Sequence, residues 1–169
     1  MLGIDGEGVT VLKISDLMTV DFMTLSPEDK VDRAVFLFHY EKIHHLPVVT
    51  DDGKLLGMLS QHDLRKIGDI PKHRIHESQD GKLQEVSNRK VRMLMRRQPF
   101  TIGPNESVEA AAKTMATEQI GSLPVIEDDK LVGIITSTHL LSVMAEVFQL
   151  LPEGTALPKW QSRRTAETA

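Results

Sequence analysis

Apolar residues recur at helical spacing in two separate stretches of the chain. In the first stretch the apolar positions are Val31, Ala34, Val35 and Phe38. In the second stretch they are Val108, Ala111, Ala112 and Met115. Steps of three, four and seven residues place side chains on one face of an α-helix. Each stretch is therefore predicted to form a helix that buries this single stripe.

Two short apolar runs after each of these stretches predict a β-hairpin. In the first copy, residues 46–49 and 55–59 flank residues 50–54, whose Asp-Gly pair is typical of a tight turn. Ser60 then precedes a second helical stretch, as Thr136 does later in the chain. A hydroxyl at this position can accept a hydrogen bond from an unpaired backbone N–H at the start of a helix.

The two stretches are copies of one unit. The segment from Ile14 aligns with the segment from Val91, an offset of 77 residues, and a one-residue gap at Gly53 reduces the offset to 76. In each copy a short extended piece, residues 23–25 or 100–102, precedes the first helix. The order in each copy is β-α-β-β-α, so the predicted fold is mixed α/β (α+β) with two tandem repeats.

The repeats divide the chain into four segments. They are a first repeat over 11–67, a polar linker over 68–87, a second repeat over 88–149 and a tail over 150–169. The tail carries Trp160, which is interpreted either as docking on a partner subunit or as idle.

Composition narrows the classes of function. The 169 residues have a formal net charge of −4 and no cysteine, which excludes disulfides, thiolate catalysis and cysteine-ligated zinc. No apolar run is long enough to span a bilayer, and the first residues do not resemble a signal peptide. Aromatic residues make up 4%, which leaves no stacking platform for nucleic acid. We therefore expect a cytoplasmic protein that binds neither membrane nor nucleic acid.

The stretches HHLPVVTDDGKLLGMLSQHDL and GSLPVIEDDKLVGIITSTHL resemble the signature part of cystathionine β-synthase (CBS) domains. The shared features are a Leu-Pro-Val strand, an acidic turn and an ending of glycine, two apolar residues and Ser/Thr-x-x-Asp. The resemblance implies a pseudo-twofold pair, often dimeric, with two clefts between the repeats. It also implies that an adenosyl ligand such as AMP, ADP, ATP or S-adenosylmethionine binds there and that occupancy is passed to a partner protein.

The resemblance assigns a first ligand site to the first repeat. Its residues are Thr24, His45, Leu46, Pro47, Val48, Ser60 and Asp63. The Ser60 hydroxyl would hold a phosphate and the Asp63 carboxylate would accept the ribose hydroxyls. Ser60-x-x-Asp63 is also a variant of the capping box, in which each residue satisfies the backbone N–H of the other. The two interpretations are compatible.

A second site follows from the same alignment but departs from the family pattern. Its residues are Thr101, Ser122, Leu123, Pro124, Val125, Thr136 and His139. His139 stands where the family has aspartate, and a neutral imidazole has one donor and one acceptor nitrogen, so it cannot accept two ribose hydroxyls. This site is interpreted as empty, as weak, or as using His139 to donate to a phosphate.

Other chemistry finds less support. The seven histidines lack the spacing of a metal site, although His73 and His76 are three residues apart. The basic cluster of Arg89, Lys90, Arg92, Arg96 and Arg97 fits a solvated face or an approach to polyphosphate. No catalytic motif appears. The predicted function is a non-catalytic, adenosyl-nucleotide-sensing regulatory module, homodimeric and without an obligatory cofactor; the alternative is a scaffold with ligand-free clefts.

Overall fold

The computed structural model describes residues 12–41, 43–65 and 88–152. The predicted linker 68–87 lies outside the described residues, as do residues 153–169 of the tail with Trp160, and His73 and His76.

Both copies contain the same elements in the same order, except for one additional short strand in the second copy. The first copy consists of a 3-10 turn Ile14–Asp16, helix α1 Val31–Tyr40, strands β1 His45–Val49 and β2 Leu55–Ser60, and helix α2 Gln61–Arg65. The second copy consists of a 3-10 turn Val91–Met93, strand β3 Arg96–Arg97, helix α3 Val108–Glu118, strands β4 Ser122–Glu127 and β5 Lys130–Thr136, and helix α4 Ser137–Leu150. The predicted mixed α/β repeat is confirmed.

Each copy is centred on its predicted hairpin. Strands β1 and β2 pair antiparallel with His45 opposite Ser60, and β4 and β5 pair antiparallel with Ser122 opposite Thr136. The extended piece that precedes each first helix forms a single parallel bridge to its own hairpin, Leu25 to Val48 in the first copy. The first strand of the β-α-β-β-α unit is therefore one bridged residue long.

The helical stripes are buried to different extents in the two copies. Helix α1 buries Val31, Ala34, Val35 and Phe38 as predicted, together with Leu37. Helix α3 buries Ala111 and Met115, but Ala112 is exposed, so its predicted place in the stripe is wrong. No helix in the described ranges reaches the length and hydrophobicity of a membrane-spanning segment.

The 3-10 turns are exchanged between the copies. Ile14 is fully buried in the core of the second copy, and Val91 is fully buried in the core of the first. Backbone bonds fix this exchange: the Ile14 N–H donates to the Glu106 carbonyl and the Val91 N–H donates to the Asp29 carbonyl, both at 2.9 Å. Each core is therefore completed by the other half of the chain.

The segments that follow the exchanged turns add to the neighbouring hairpins. Strand β3 pairs with β2, which places Arg96 opposite Met58, and Thr19 bridges to Ile134 of β5. Gly57 lies at the first of these contacts, where a Cβ atom would stand 2.7 Å from the Arg96 carbonyl oxygen. A side chain at this position would force the two strands apart.

Truncation of Ile14 tests the exchange. Ile14→Ala removes a fully buried side chain from the second core, so we expect the free energy of unfolding to fall by about 2–5 kcal/mol in urea or thermal denaturation. The control is Met93→Ala, in the other 3-10 turn, where the side chain is 65% exposed. A loss at Ile14 no larger than the loss at Met93 would contradict the exchanged arrangement.

Candidate functional site

A cavity of about 410 Å³ lies where the end of the first hairpin meets the second copy. We call it the first cleft. The first copy lines it with His45, Met58, Ser60, His62 and Asp63. The second copy lines it with Arg96, Pro99, Phe100, Gln119, Ile120, Gly121 and Ser122. The volume lies within the range of small-molecule sites, and the lining combines apolar surface with a carboxylate and a guanidinium group.

Ser60 and Asp63 form the predicted capping box at the start of α2. The Asp63 N–H donates to Ser60 Oγ at 3.1 Å, and Asp63 Oδ2 accepts the Ser60 N–H at 3.0 Å and the Ser60 hydroxyl at 2.6 Å. The only carboxylate oxygen used in these three bonds is Oδ2. Asp63 Oδ1 is therefore the oxygen of this carboxylate that the capping box leaves for another donor.

The His45 ring lies close to the second copy, since a Cβ atom at Gly121 would stand 3.2 Å from His45 Cε1. Burial lowers the pKa of the His45 imidazole below its ordinary value of 6.5, His44 lowers it further, and the Asp63 carboxylate acts in the opposite direction. Burial is the largest of the three effects, so the ring is neutral at pH 7. It then offers one donor and one acceptor nitrogen to the cleft.

A second cavity of about 500 Å³ occupies the equivalent place at the end of the second hairpin. We call it the second cleft. The first copy lines it with Thr19, Asp21, Phe22, Met23, Glu41, Ile43, His44 and His45. The second copy lines it with Gly121, Ile134, Thr136, Ser137, Thr138 and His139. His45 and Gly121 line both clefts, so the two cavities share a wall.

The second cleft repeats the capping geometry with different chemistry. The Thr136 N–H donates to His139 Nδ1 at 3.3 Å, and the His139 N–H donates to Thr136 Oγ1 at 3.4 Å. His139 Nε2 lies 3.3 Å from Thr19 Oγ1 in the first copy. Both ring nitrogens of His139 are thus engaged within the protein.

The predicted site residues are distributed over the two clefts and the cores. Ser60, Asp63 and Ser122 line the first cleft, Thr136 and His139 line the second, and His45 lines both. Thr24 and Thr101 line neither. The side chains of the two Leu-Pro-Val runs are buried in the cores: Leu46, Pro47, Val48, Leu123, Pro124 and Val125. The ligand contacts of the whole set stay a prediction.

Several lining residues were not among the predicted site residues. In the first cleft they include Phe100, Gln119, Ile120 and Gly121, all from the copy opposite Ser60 and Asp63. Arg96, which belongs to the basic cluster noted in the sequence, also lines this cleft. The alignment of the two repeats pairs these residues: Phe100 aligns with Met23, and Ile120 aligns with Ile43. Met23 and Ile43 line the second cleft, so equivalent positions line both clefts, and this pairing was the available signal in the sequence.

Metal ligation has no support in the described ranges. Within residues 12–41, 43–65 and 88–152, no three His, Asp or Glu side chains come together as metal ligands would.

Comparison with known proteins identifies the family. The CBS domain profile matches residues 14–69 and 91–146, once in each copy. A CBS domain-containing protein from Dictyostelium discoideum is 31% identical over 140 residues, which cover 82% of this chain and 95% of that protein. The chain therefore belongs to the CBS domain family and carries two copies of the domain.

An enzyme also contains a similar segment. Homoserine O-acetyltransferase from Methanohalobium evestigatum is 28% identical over 134 residues, which cover 79% of this chain but 24% of the enzyme. The chain thus spans about a quarter of that enzyme's length, and the match lies in the CBS repeats.

Solved structures share the fold. CBSX2, solved in complex with AMP, has a TM-score of 0.66 and 26% identity over 80% of this chain and 98% of that chain. The CBS domain pair of protein MJ0100, solved with 5′-methylthioadenosine and S-adenosyl-L-methionine, has a TM-score of 0.67 and 22% identity over 81% of this chain and 98% of that chain. The second likeness supports the fold alone.

The lowered pKa of His45 predicts how stability depends on pH. Well above pH 6.5 the ring is neutral in both the folded and the unfolded chain. As the pH falls through 6.5, the unfolded chain takes up the proton first. His45 should therefore decrease the free energy of unfolding as the pH falls through this range. His45→Asn should show a smaller decrease in urea denaturation between pH 7.5 and 5.5, and an equal or larger decrease would contradict the prediction.

Proposed function

We propose that this chain is a non-catalytic regulatory module that binds an adenine nucleotide in the first cleft. The observation that carries the proposal is the convergence of the Asp63 carboxylate, the Arg96 guanidinium and apolar side chains around one cavity of about 410 Å³. A nucleotide offers matching groups: ribose hydroxyls, an anionic phosphate and an apolar base. AMP bound to CBSX2, a member of the same fold, supports this choice of ligand.

The ribose is placed at Asp63. Its Oδ2 atom accepts two bonds from Ser60, whereas Oδ1 is left over by the capping box and can accept a ribose hydroxyl. The neutral His45 ring lies beside this carboxylate and supplies a further donor or acceptor. The capping box also fixes the carboxylate before a ligand arrives, which reduces the entropy lost on binding.

The phosphate and the base take the other two parts of the cleft. Arg96 lines the cleft and can form two parallel hydrogen bonds to phosphate oxygens. The base is placed against Met58, Phe100 and Ile120, which supply apolar and aromatic surface. A direct phosphate contact from the Ser60 hydroxyl is less favoured, because that hydroxyl is engaged with Asp63.

Regulation follows from the position of the cleft. A nucleotide in the first cleft would contact Asp63 of the first copy and Arg96 and Phe100 of the second. Ligand binding would then favour one relative placement of the two copies, and a partner protein could distinguish the occupied module from the empty one. The existence of such a partner protein is part of this proposal.

The alternative is a scaffold whose clefts hold no ligand. It is favoured by the capping boxes, which give Ser60, Asp63, Thr136 and His139 a structural role without any ligand. A scaffold would keep its stability unchanged when nucleotide is added, so one titration separates the two functions.

AMP titration tests the proposed function. At a concentration one hundred times the Kd, AMP should stabilise the folded chain by about 2.7 kcal/mol in thermal denaturation. Asp63→Asn should lose most of this stabilisation: its amide oxygen can still accept the Ser60 N–H, but its NH2 group replaces the second carboxylate oxygen as an acceptor.

The matched control is Asp128→Asn in the exposed turn between β4 and β5. Residue 128 has a φ of 49°, a conformation that asparagine tolerates. This variant should respond to AMP as the unmodified chain does. No response of the unmodified chain to AMP, ADP, ATP or S-adenosylmethionine would leave the scaffold as the function.

Homodimerisation is the second part of the proposal. Helix α4 buries none of its residues fully, and Leu141, Met144 and Phe148 are 63%, 48% and 49% exposed. The three residues are spaced by three and four positions, so they form one apolar face. A second copy of the chain, presenting the same face about a twofold axis, would cover it.

A charge on this face should separate the dimer. Met144→Glu introduces a carboxylate at the centre of the apolar stripe, and we expect the dominant species in sedimentation or light scattering to change from dimer to monomer. Val20→Glu is the control, because Val20 is 68% exposed and lies outside α4. A dimer that persists in Met144→Glu would place the contact elsewhere, and a monomeric unmodified chain would remove the proposal.

A further inference from the structure

The internal duplication allows the two clefts to be compared position by position. Arg96 in the first cleft corresponds to Thr19 in the second at the offset of 77, and Asp63 corresponds to His139 at the offset of 76. The first pair occupies equivalent places, since Arg96 lies opposite Met58 of β2 and Thr19 lies opposite Ile134 of β5. The second pair does too, since Asp63 and His139 make equivalent capping bonds with Ser60 and Thr136. The clefts therefore share a shape but differ in the groups that would meet a nucleotide.

The tautomer of His139 is fixed by its neighbours. A backbone N–H can only donate, so His139 Nδ1 must accept the bond from Thr136 and carries no proton. The proton of the neutral ring is then on Nε2, which donates to Thr19 Oγ1 at 3.3 Å. This chain of hydrogen bonds uses both nitrogens of His139 and joins the second hairpin to the exchanged segment of the first copy.

The charges of the two clefts also differ. Among the described lining residues, the first cleft holds Asp63 and Arg96, whose charges offset each other at neutral pH. The second cleft holds Asp21 and Glu41, two negative charges, and no described arginine or lysine. A phosphate entering the second cleft would meet carboxylates where the first cleft offers a guanidinium group.

We infer that the chain binds one phosphorylated adenine nucleotide, in the first cleft only, and that two exchanges determine this difference: Arg96 against Thr19, and Asp63 against His139. The inference rests on the proposed function. In the second cleft, His139 stands in place of the ribose acceptor Asp63, and Thr19 stands in place of the phosphate donor Arg96. These two side chains are hydrogen-bonded to each other and so connect the two copies. The second cleft is thereby closed to a nucleoside phosphate although its volume is adequate.

Calorimetric titration of the full chain with AMP measures the stoichiometry. The expected result is one AMP per chain. Two AMP molecules per chain with similar affinity would overturn the inference and leave the proposed function standing. No heat of binding and no thermal stabilisation by AMP, ADP, ATP or S-adenosylmethionine would overturn the proposed function and the inference with it.

Two sets of variants test the residues. Arg96→Gln should lower the affinity for AMP about tenfold or more, because the charged hydrogen bond from Arg96 to the phosphate is lost. Adenosine has no phosphate, so the preference for AMP over adenosine should change by a similar factor. An unchanged preference would overturn the role of Arg96. The double substitution Thr19→Arg with His139→Asp reproduces the first cleft in the second, and should raise the stoichiometry from one to two.

Circular dichroism and the thermal unfolding midpoint establish that each variant is folded before titration. A folded double variant that still binds one AMP would overturn the assignment of the difference to residues 19 and 139. If the double variant does not fold, the ratio of AMP to adenosine affinity in Arg96→Gln decides, because Arg96 is exposed and outside the cores.

Discussion

Backbone hydrogen bonds between the two copies are the constraint on which the rest of this module depends. The N–H groups of Ile14 and Val91 donate to carbonyl groups of the opposite copy, and both side chains are fully buried in the opposite core. Buried backbone groups need such partners, so the exchanged turns have little freedom to move. Each hydrophobic core is incomplete without the other half of the chain, and the pair of CBS domains behaves as one structural unit.

The same exchange creates the clefts. After each exchanged turn the chain adds to the edge of the neighbouring hairpin, at Arg96 beside Met58 and at Thr19 beside Ile134. Gly57 permits the first approach, because a Cβ atom there would stand 2.7 Å from the Arg96 carbonyl oxygen of the crossing segment. The strand pairing that completes the fold therefore also sets the positions at which the two clefts differ.

Duplication has kept the capping geometry and changed its chemistry. Asp63 caps its helix with one carboxylate oxygen and retains the other, whereas His139 caps its helix with its single acceptor nitrogen and gives its proton to Thr19. The capping bonds therefore engage one oxygen of the Asp63 carboxylate, whereas hydrogen bonds within the protein engage both ring nitrogens of His139. The two clefts are alike in their capping geometry and differ in the polar groups that line them.

The sequence by itself determined the local features: the hairpins, the helices and the caps at Ser60 and Thr136. These depend on residues three to seven apart, whose spacing is visible in the chain. Only the tertiary structure decided which residues share a cleft. Ser60 lines one cleft with Phe100 and Gly121 of the other copy, while Leu46 and Val48, in the same strand as His45, are buried in the core. Local periodicity carries no information on such pairing, because it depends on contacts between segments far apart in the chain.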